Sequence, residues 1–130
     1  MTIVLDTCAL IWWSLDPQKL SNAAKQSCEQ MEEDKSGILP SIAIWEIAIK
    51  IKNKKLDLGV DLKEYLVALK QSNAIRIIPI NADIWMKSVS LDWTHKDPAD
   101  RVVVAMAKSY QAPIITSDQK IRDFYSDIIW

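Results

Sequence analysis

The residues with the greatest chemical reach in this chain are four carboxylates, Asp6, Glu46, Asp100 and Asp118, spread over almost its whole length. Mg²⁺ is a hard cation that takes oxygen ligands and keeps several of its waters, so a carboxylate cluster gives it charge while leaving water free to react. Hydrolysis of a phosphodiester needs an acidified attacking water and compensation for charge on the leaving oxygen; one or two metal ions supply both. Four neighbouring carboxylates with no cation repel one another, and some stay protonated. If these four converge, they suit a Mg²⁺ or Mn²⁺ site.

Each acid also has an ordinary structural use. Asp6 can cap the helix that follows it. Glu46 stands four residues before Lys50, a helix-surface pair worth only roughly 0.2–0.5 kcal/mol. Asp100 falls at the third position of a helix opened by Asp97 as N-cap and Pro98 as first residue, where an acid favours the helix dipole. Asp118 can cap a short terminal helix. What distinguishes the four is their joint placement, and that depends on the elements carrying them.

Thr2–Leu5 is apolar and β-branched on both faces, which predicts a buried strand ending at Asp6. A short helix follows over Thr7–Leu15, stopping before Asp16–Pro17. Ser21 is placed to cap a helix over Asn22–Asp34, and Gly37–Leu39 reads as a second strand. In Ile42–Lys52, Ile44, Ile47, Ala48 and Ile51 form a helical stripe that Trp45 and Ile49 widen, with Glu46, Lys50 and Asn53 on the other face. Further helices are expected at Leu62–Gln71, Ala82–Leu91 and from Pro98. Strands are expected at Ile75–Ile78 and Pro113–Thr116, with Ile128–Trp130 as an edge strand. Alternating strands and helices imply an α/β fold, a mostly parallel sheet with helices on both faces. Such sheets bind ligands beyond the carboxyl ends of their strands. Asp6 and Asp118 follow strands, and Glu46 and Asp100 are read in the first turns of helices that can start at the same edge.

The bulk composition narrows the classes. The chain has 130 residues, read as one domain over 1–130, with net charge −1, 49% hydrophobic residues and only two glycines. Two isolated glycines cannot make a Gly-rich phosphate loop, which argues against dinucleotide binding. No basic segment precedes an apolar stretch at the N-terminus, and no apolar run approaches the roughly 18–20 residues of a membrane span, so neither a signal peptide nor a membrane anchor is expected. Cys8 and Cys28 fit no metal-ligand spacing and are read as buried small residues in a reducing cytoplasm.

Four segments carry a family likeness: IVLDTCALIWW, SIAIWEIAIKIKNKKL, HKDPADRVVVAMA and IITSD, in that order from Ile3 to Asp118. They resemble the signatures of PIN-domain nucleases, most of all the VapC-type toxins of toxin–antitoxin pairs. The resemblance implies a three-layer α/β/α sandwich and an endoribonuclease that hydrolyses RNA with a water activated by Mg²⁺ or Mn²⁺. It also implies a cognate antitoxin and a homodimer. By motif position Asp6, Glu46, Asp100 and Asp118 match the four family acids, and Thr116 matches a hydroxyl residue beside the reacting water. Ala99 stands where relatives often carry a bulky aromatic, which is expected to loosen local packing.

Several other residues invite roles. His95, the only histidine, is read as a structural hydrogen-bonding partner ahead of a general base, and Arg101 as pairing with an acid of the cluster ahead of binding a phosphate. Lys50, Lys52, Lys54 and Lys55 form a basic strip that either solvates a helix end or guides phosphates. Of six tryptophans, the adjacent Trp12 and Trp13 point different ways, and one is expected at a groove for a partner peptide or a homodimer seam. Rival functions fit less well. A haloacid-dehalogenase-like phosphatase needs an acid where Cys8 stands, and a receiver domain needs an acceptor aspartate where Pro79–Ile80 stand. A PIN fold that binds a partner without cutting is the remaining alternative.

Overall fold

Strand β1, Ile3–Leu5, is short and wholly buried, and it forms the middle of the sheet. The computed structural model describes all of residues 1–130. After β1 come α1 (Thr7–Leu15), a single 3-10 turn (Pro17–Lys19), α2 (Asn22–Asp34), β2 (Gly37–Pro40), α3 (Ile42–Lys52), α4 (Leu62–Gln71) and β3 (Ile75–Ile78). The chain then forms α5 (Ala82–Ser90), α6 (Pro98–Tyr110), β4 (Ile114–Ile115), α7 (Gln119–Phe124) and β5 (Ile128–Ile129). All four strand pairings are parallel, in the order β3-β2-β1-β4-β5. The α/β fold and parallel sheet expected from the alternation are therefore present. No helix is long and apolar enough to cross a membrane.

Successive side chains on a strand point to opposite faces, and both faces here are apolar because both are covered. Ile3, Leu5, Leu39 and Ile115 pack with Leu10, Met31, Ile47 and Leu69 from helices α1 to α4. Val4, Ile38 and Ile114 pack on the opposite side with Val103, Met106 and Ile121 from α6 and α7. Gly37 is required by the first layer: a Cβ there would lie 2.6 Å from the Met31 sulfur and 2.8 Å from Ile75 Cγ1. With glycine so scarce, α2 and α6 end on non-glycine residues in the left-handed conformation, Lys35 (φ 54°) and Gln111 (φ 51°).

The boundaries depart slightly from the sequence reading. Strand β2 runs on to Pro40, whose missing N–H falls beyond the last β1–β2 partners, Val4 and Ile38. Strand β4 is only Ile114–Ile115, with Thr116 just past its end. In α3 the buried line is Ala43 and Ile47; Ile44, Ala48 and Ile51 are half-buried and Trp45 is 60% exposed. Apolar residues nearly encircle this helix, so periodicity alone did not identify the side facing the sheet. Cys28 is buried as expected, but Cys8 is exposed, because the second residue of α1 faces outward at the sheet edge. Ala99 is buried at 3% exposure, so its small side chain opens no path to solvent.

The connectivity places the site. From β1 the chain moves outward to β2 and β3, then returns to build β4 and β5 on β1's other flank. The direction of winding reverses between β1 and β4, and at such a switch point the loops beyond the carboxyl ends diverge and leave a crevice.

Candidate metal centre

Asp6 leaves β1 at that crevice and serves two structural demands with one carboxylate. Its Oδ1 accepts from the Ala9 backbone N–H at 2.9 Å, capping α1. Its Oδ2 accepts a short hydrogen bond from the Thr116 hydroxyl, delivered from the end of β4. The Thr116 oxygen in turn accepts from the Asp118 N–H at 3.0 Å, so the β4 exit is tied to the β1 exit. Asp118 caps α7 through the Lys120 N–H at 2.9 Å.

Two helices bring the other acids. Asp100 lies in the first turn of α6, which Asp97 caps by accepting from the Asp100 N–H at 2.9 Å. Glu46 lies in the second turn of α3, one turn later than the sequence reading placed it. It makes no ion pair with Lys50; its Oε1 instead accepts from the Thr7 hydroxyl at 2.5 Å, linking α3 to the first residue of α1. Asp6, Glu46, Asp100 and Asp118 all line one cleft of about 330 Å³, together with Thr7, Cys8, Lys50 and Asp97. Thr116 is fully buried just beneath it.

The electrostatics of the cleft are those of a site crowded with negative charge. Burial pushes the Asp6 carboxyl up to about 6 despite its hydrogen bonds from Thr116 and Ala9, and the charges of Asp100 and Asp118 add to the rise. Burial likewise lifts Asp100 to about 6, opposed by its hydrogen bond with His95 and reinforced by Asp97 and Asp118. Glu46 is also raised by burial, with the Thr7 hydrogen bond acting against it. Lys50 is the only basic side chain lining the cleft. An all-oxygen donor set whose members are partly desolvated and short of counter-charge fits a hard divalent cation.

Three residues of the centre were not singled out as site residues from the sequence. Asp97, read only as a cap, lines the cleft, and one ligand atom each from His95, Asp97 and Asp100 lie within 4.8 Å of one another. Thr7 orients Glu46, and the only signal for it was its place next to Asp6. His95 makes the structural hydrogen bond expected of it, Nε2 to Asp100 Oδ2 at 2.7 Å, and thereby touches the site.

Arg101 departs from the reading. It pairs with no acid but donates to five backbone carbonyls of the segment before α6, those of Ser88, Val89, Leu91, Trp93 and His95, at 2.7 to 3.1 Å. Lys52, Lys54 and Lys55 are exposed beyond the cleft, and only Lys50 of that strip enters it. Trp12 packs on Trp130 with ring centroids 5.7 Å apart, and the Trp13 indole N–H donates to Glu32 at 2.7 Å, so both are half-buried. The most exposed tryptophans are Trp45 and Trp85.

A profile of the PIN domain matches residues 3–126 of this chain. Ribonuclease VapC22 of Mycobacterium tuberculosis is 29% identical over 122 residues, which cover 93% of this chain and 90% of that protein. Among solved structures, the fold is similar to a toxin-antitoxin complex from Klebsiella pneumoniae (TM-score 0.67, 21% identity, 99% of this chain and 97% of that one). It is also similar to VapBC2 from Rickettsia felis bound to a promoter DNA fragment (TM-score 0.69, 14% identity, 99% and 96%). FitAcB from Neisseria gonorrhoeae gives a TM-score of 0.65 at 23% identity, with 99% and 97% covered.

Proposed function

The chain belongs to the PIN-domain family, and from that premise we propose that it is a Mg²⁺- or Mn²⁺-dependent endoribonuclease, the toxin of a type II toxin–antitoxin pair. The observation that carries this reading is the meeting of Asp6, Glu46, Asp100 and Asp118 in one cleft at the switch point of the sheet. A ribonuclease relative spanning nearly the whole chain supports RNA as the substrate.

In this reading Asp6 and Asp100 are the main metal ligands, with Glu46 and Asp118 completing the acidic rim. A bound divalent cation would acidify the attacking water and offset charge on the leaving oxygen. The chain's own groups hold the reactants. Thr116 and the Ala9 N–H fix the Asp6 carboxylate in one orientation, Thr7 does the same for Glu46, and His95 for Asp100. Lys50 brings a positive charge into the cleft, where it can draw a phosphate against the surrounding acids.

The partners follow from the same reading. The solved structures this fold resembles include toxin–antitoxin assemblies, which supports a cognate antitoxin here. We assign a homodimer seam to the apolar groove of about 460 Å³ lined by Ile42, Trp45, Ile80, Trp85 and Pro98, since Trp45 and Trp85 are 60% and 44% exposed. The enzyme is placed in the cytoplasm, where its RNA would be met.

The decisive experiment is RNA cleavage by Asp6→Asn with Mg²⁺ or Mn²⁺ present. The side chains are nearly isosteric, so the fold is expected to survive while cleavage is abolished. Wild-type-like cleavage by the variant, or by wild type in excess EDTA, would rule the mechanism out.

A further inference from the structure

Beyond His95, on the side away from the carboxylates, lies a second groove of about 420 Å³ that the chemistry above leaves unused. Trp93, Thr94, His95, Lys96, Lys120 and Asp123 line it. The partition between groove and cleft is one imidazole thick: His95 lines the groove, and its Nε2 lies 2.7 Å from Asp100 Oδ2 in the cleft. Each groove lysine is also close in the chain to a cleft acid, Lys96 beside Asp97 and Lys120 two residues after Asp118.

The two ammonium groups are uncommitted. The ion pairs of the chain are Lys19–Asp16, Lys87–Asp83 and His95–Asp100, and none involves Lys96 or Lys120. Both residues are exposed. Asp123, the one acid of the groove, accepts a hydrogen bond from the Gln119 amide at 2.6 Å. Trp93 is stacked on Phe124 at 4.6 Å and packed against His95 at 4.9 Å, so its ring is a fixed wall with little free face for a base. What the groove offers a ligand is positive charge on a rigid frame.

We infer that this groove is a phosphate subsite for single-stranded RNA, in which Lys96 and Lys120 hold the phosphodiesters next to the one being cut. The inference rests on the ribonuclease reading. Its physical basis is that net charge −1 and an acidic cleft repel a polyanion from the place where it must be cleaved. Lys50 within the cleft and the Lys96/Lys120 pair beyond His95 offset that repulsion, so a strand running from groove to cleft meets cations in both. Lysine is a compact point charge that contacts phosphate without reading a base, so this subsite adds affinity and register with no sequence preference.

The test is a Lys96→Gln/Lys120→Gln double variant. Its affinity for a ten-nucleotide single-stranded RNA is measured against salt in EDTA, and cleavage of that RNA and of a dinucleotide is measured in Mn²⁺. At about 0.7 per neutralised single-strand phosphate, the slope of log affinity against log salt should fall by about 1.4. KM for the ten-nucleotide RNA should rise several-fold more than KM for the dinucleotide, whose only phosphate is the scissile one. Lys96→Arg/Lys120→Arg should keep the wild-type slope, and Lys63→Gln/Lys70→Gln on α4 should leave it unaltered. An unchanged slope in the first variant, or an equal fall in the α4 control, would overturn the subsite while leaving the ribonuclease intact. A wild-type protein that neither binds nor cuts either RNA would overturn both readings.

Discussion

Asp6 caps a helix while standing 7% exposed in a cleft shared with other acids, and the conflict between those roles has a measurable consequence. Its carboxyl titrates near 6 in the folded protein against 3.8 for the free side chain. The folded state therefore binds more protons than the unfolded state between about pH 4 and 6, and stability falls as pH rises through that window. Below it the penalty is absent, and above about 6 it is fully present. A shift of about two units corresponds to roughly 3 kcal/mol for Asp6; Asp100, lifted the same way but with its side chain one-fifth exposed, adds less. At pH 5 about half of that penalty is already present, so the metal-free protein is expected to melt on the order of 5 °C lower at pH 7.5 than at pH 5. On the proposed reading Mn²⁺ would bind the deprotonated carboxylates, so it should raise the melting temperature at pH 7.5 far more than at pH 5. Asp6→Asn should flatten both dependences. Identical melting of the metal-free wild type at the two pH values would show that Asp6 carries no such penalty.

The helices and strands were legible in the sequence to within a residue or two, because capping residues and β-branched runs act locally. Ser21, Asn81, Asp97 and Asp118 each accept the backbone hydrogen bond that starts a helix. Asp6, Asp100 and Asp118 were legible for the same reason: each sits near an element end, and a parallel sheet gathers such ends at one edge, whereas Glu46 reaches the cleft from the second turn of α3. What was not legible was set by partners with no sequence signature. Arg101 is the clearest case, since all five of its hydrogen bonds go to backbone carbonyls, two in the last turn of α5 and three in the loop after it. That clamp holds the Ser88–His95 segment, and so sets where His95 meets Asp100. Lysine has neither the planar fork nor five donors. Arg101→Lys is expected to destabilise the fold by about 1–3 kcal/mol, since several part-buried carbonyls lose a charged donor. Amide exchange should quicken first between residues 89 and 95, and cleavage should fall although no ligand is changed. Exchange that quickens evenly through the sheet and helices would mean that Arg101 supports the whole fold and not this segment.

At the scale of the molecule, α1 spans the distance between the acidic cleft and an apolar surface. Nine residues at 1.5 Å each make it about 13 Å long. Asp6 caps its first turn at the cleft, while Trp13 and Leu15 at its far end join Leu58, Val60, Tyr65 and Leu69 around a groove of about 450 Å³. A partner segment that covers both ends needs apolar anchors for the groove, then about four extended residues to span the helix. Beyond these it needs a cationic side chain for the carboxylates. Arginine suits the last position because its planar fork can bind a carboxylate through two hydrogen bonds. A cognate antitoxin built this way would inhibit by excluding RNA and competing with the metal for Asp6 and Asp100. Competition at shared ligands is reciprocal: if bound antitoxin weakens Mn²⁺ affinity by some factor, Mn²⁺ must weaken antitoxin affinity by the same factor. Calorimetric titration of this chain with such an antitoxin, with and without saturating Mn²⁺, should show that loss, and Val60→Glu, at a half-exposed position of the groove, should weaken antitoxin binding without altering Mn²⁺ affinity. Equal antitoxin affinities in the two titrations would place the inhibitory contact away from the carboxylates, leaving the apolar groove to hold the partner alone.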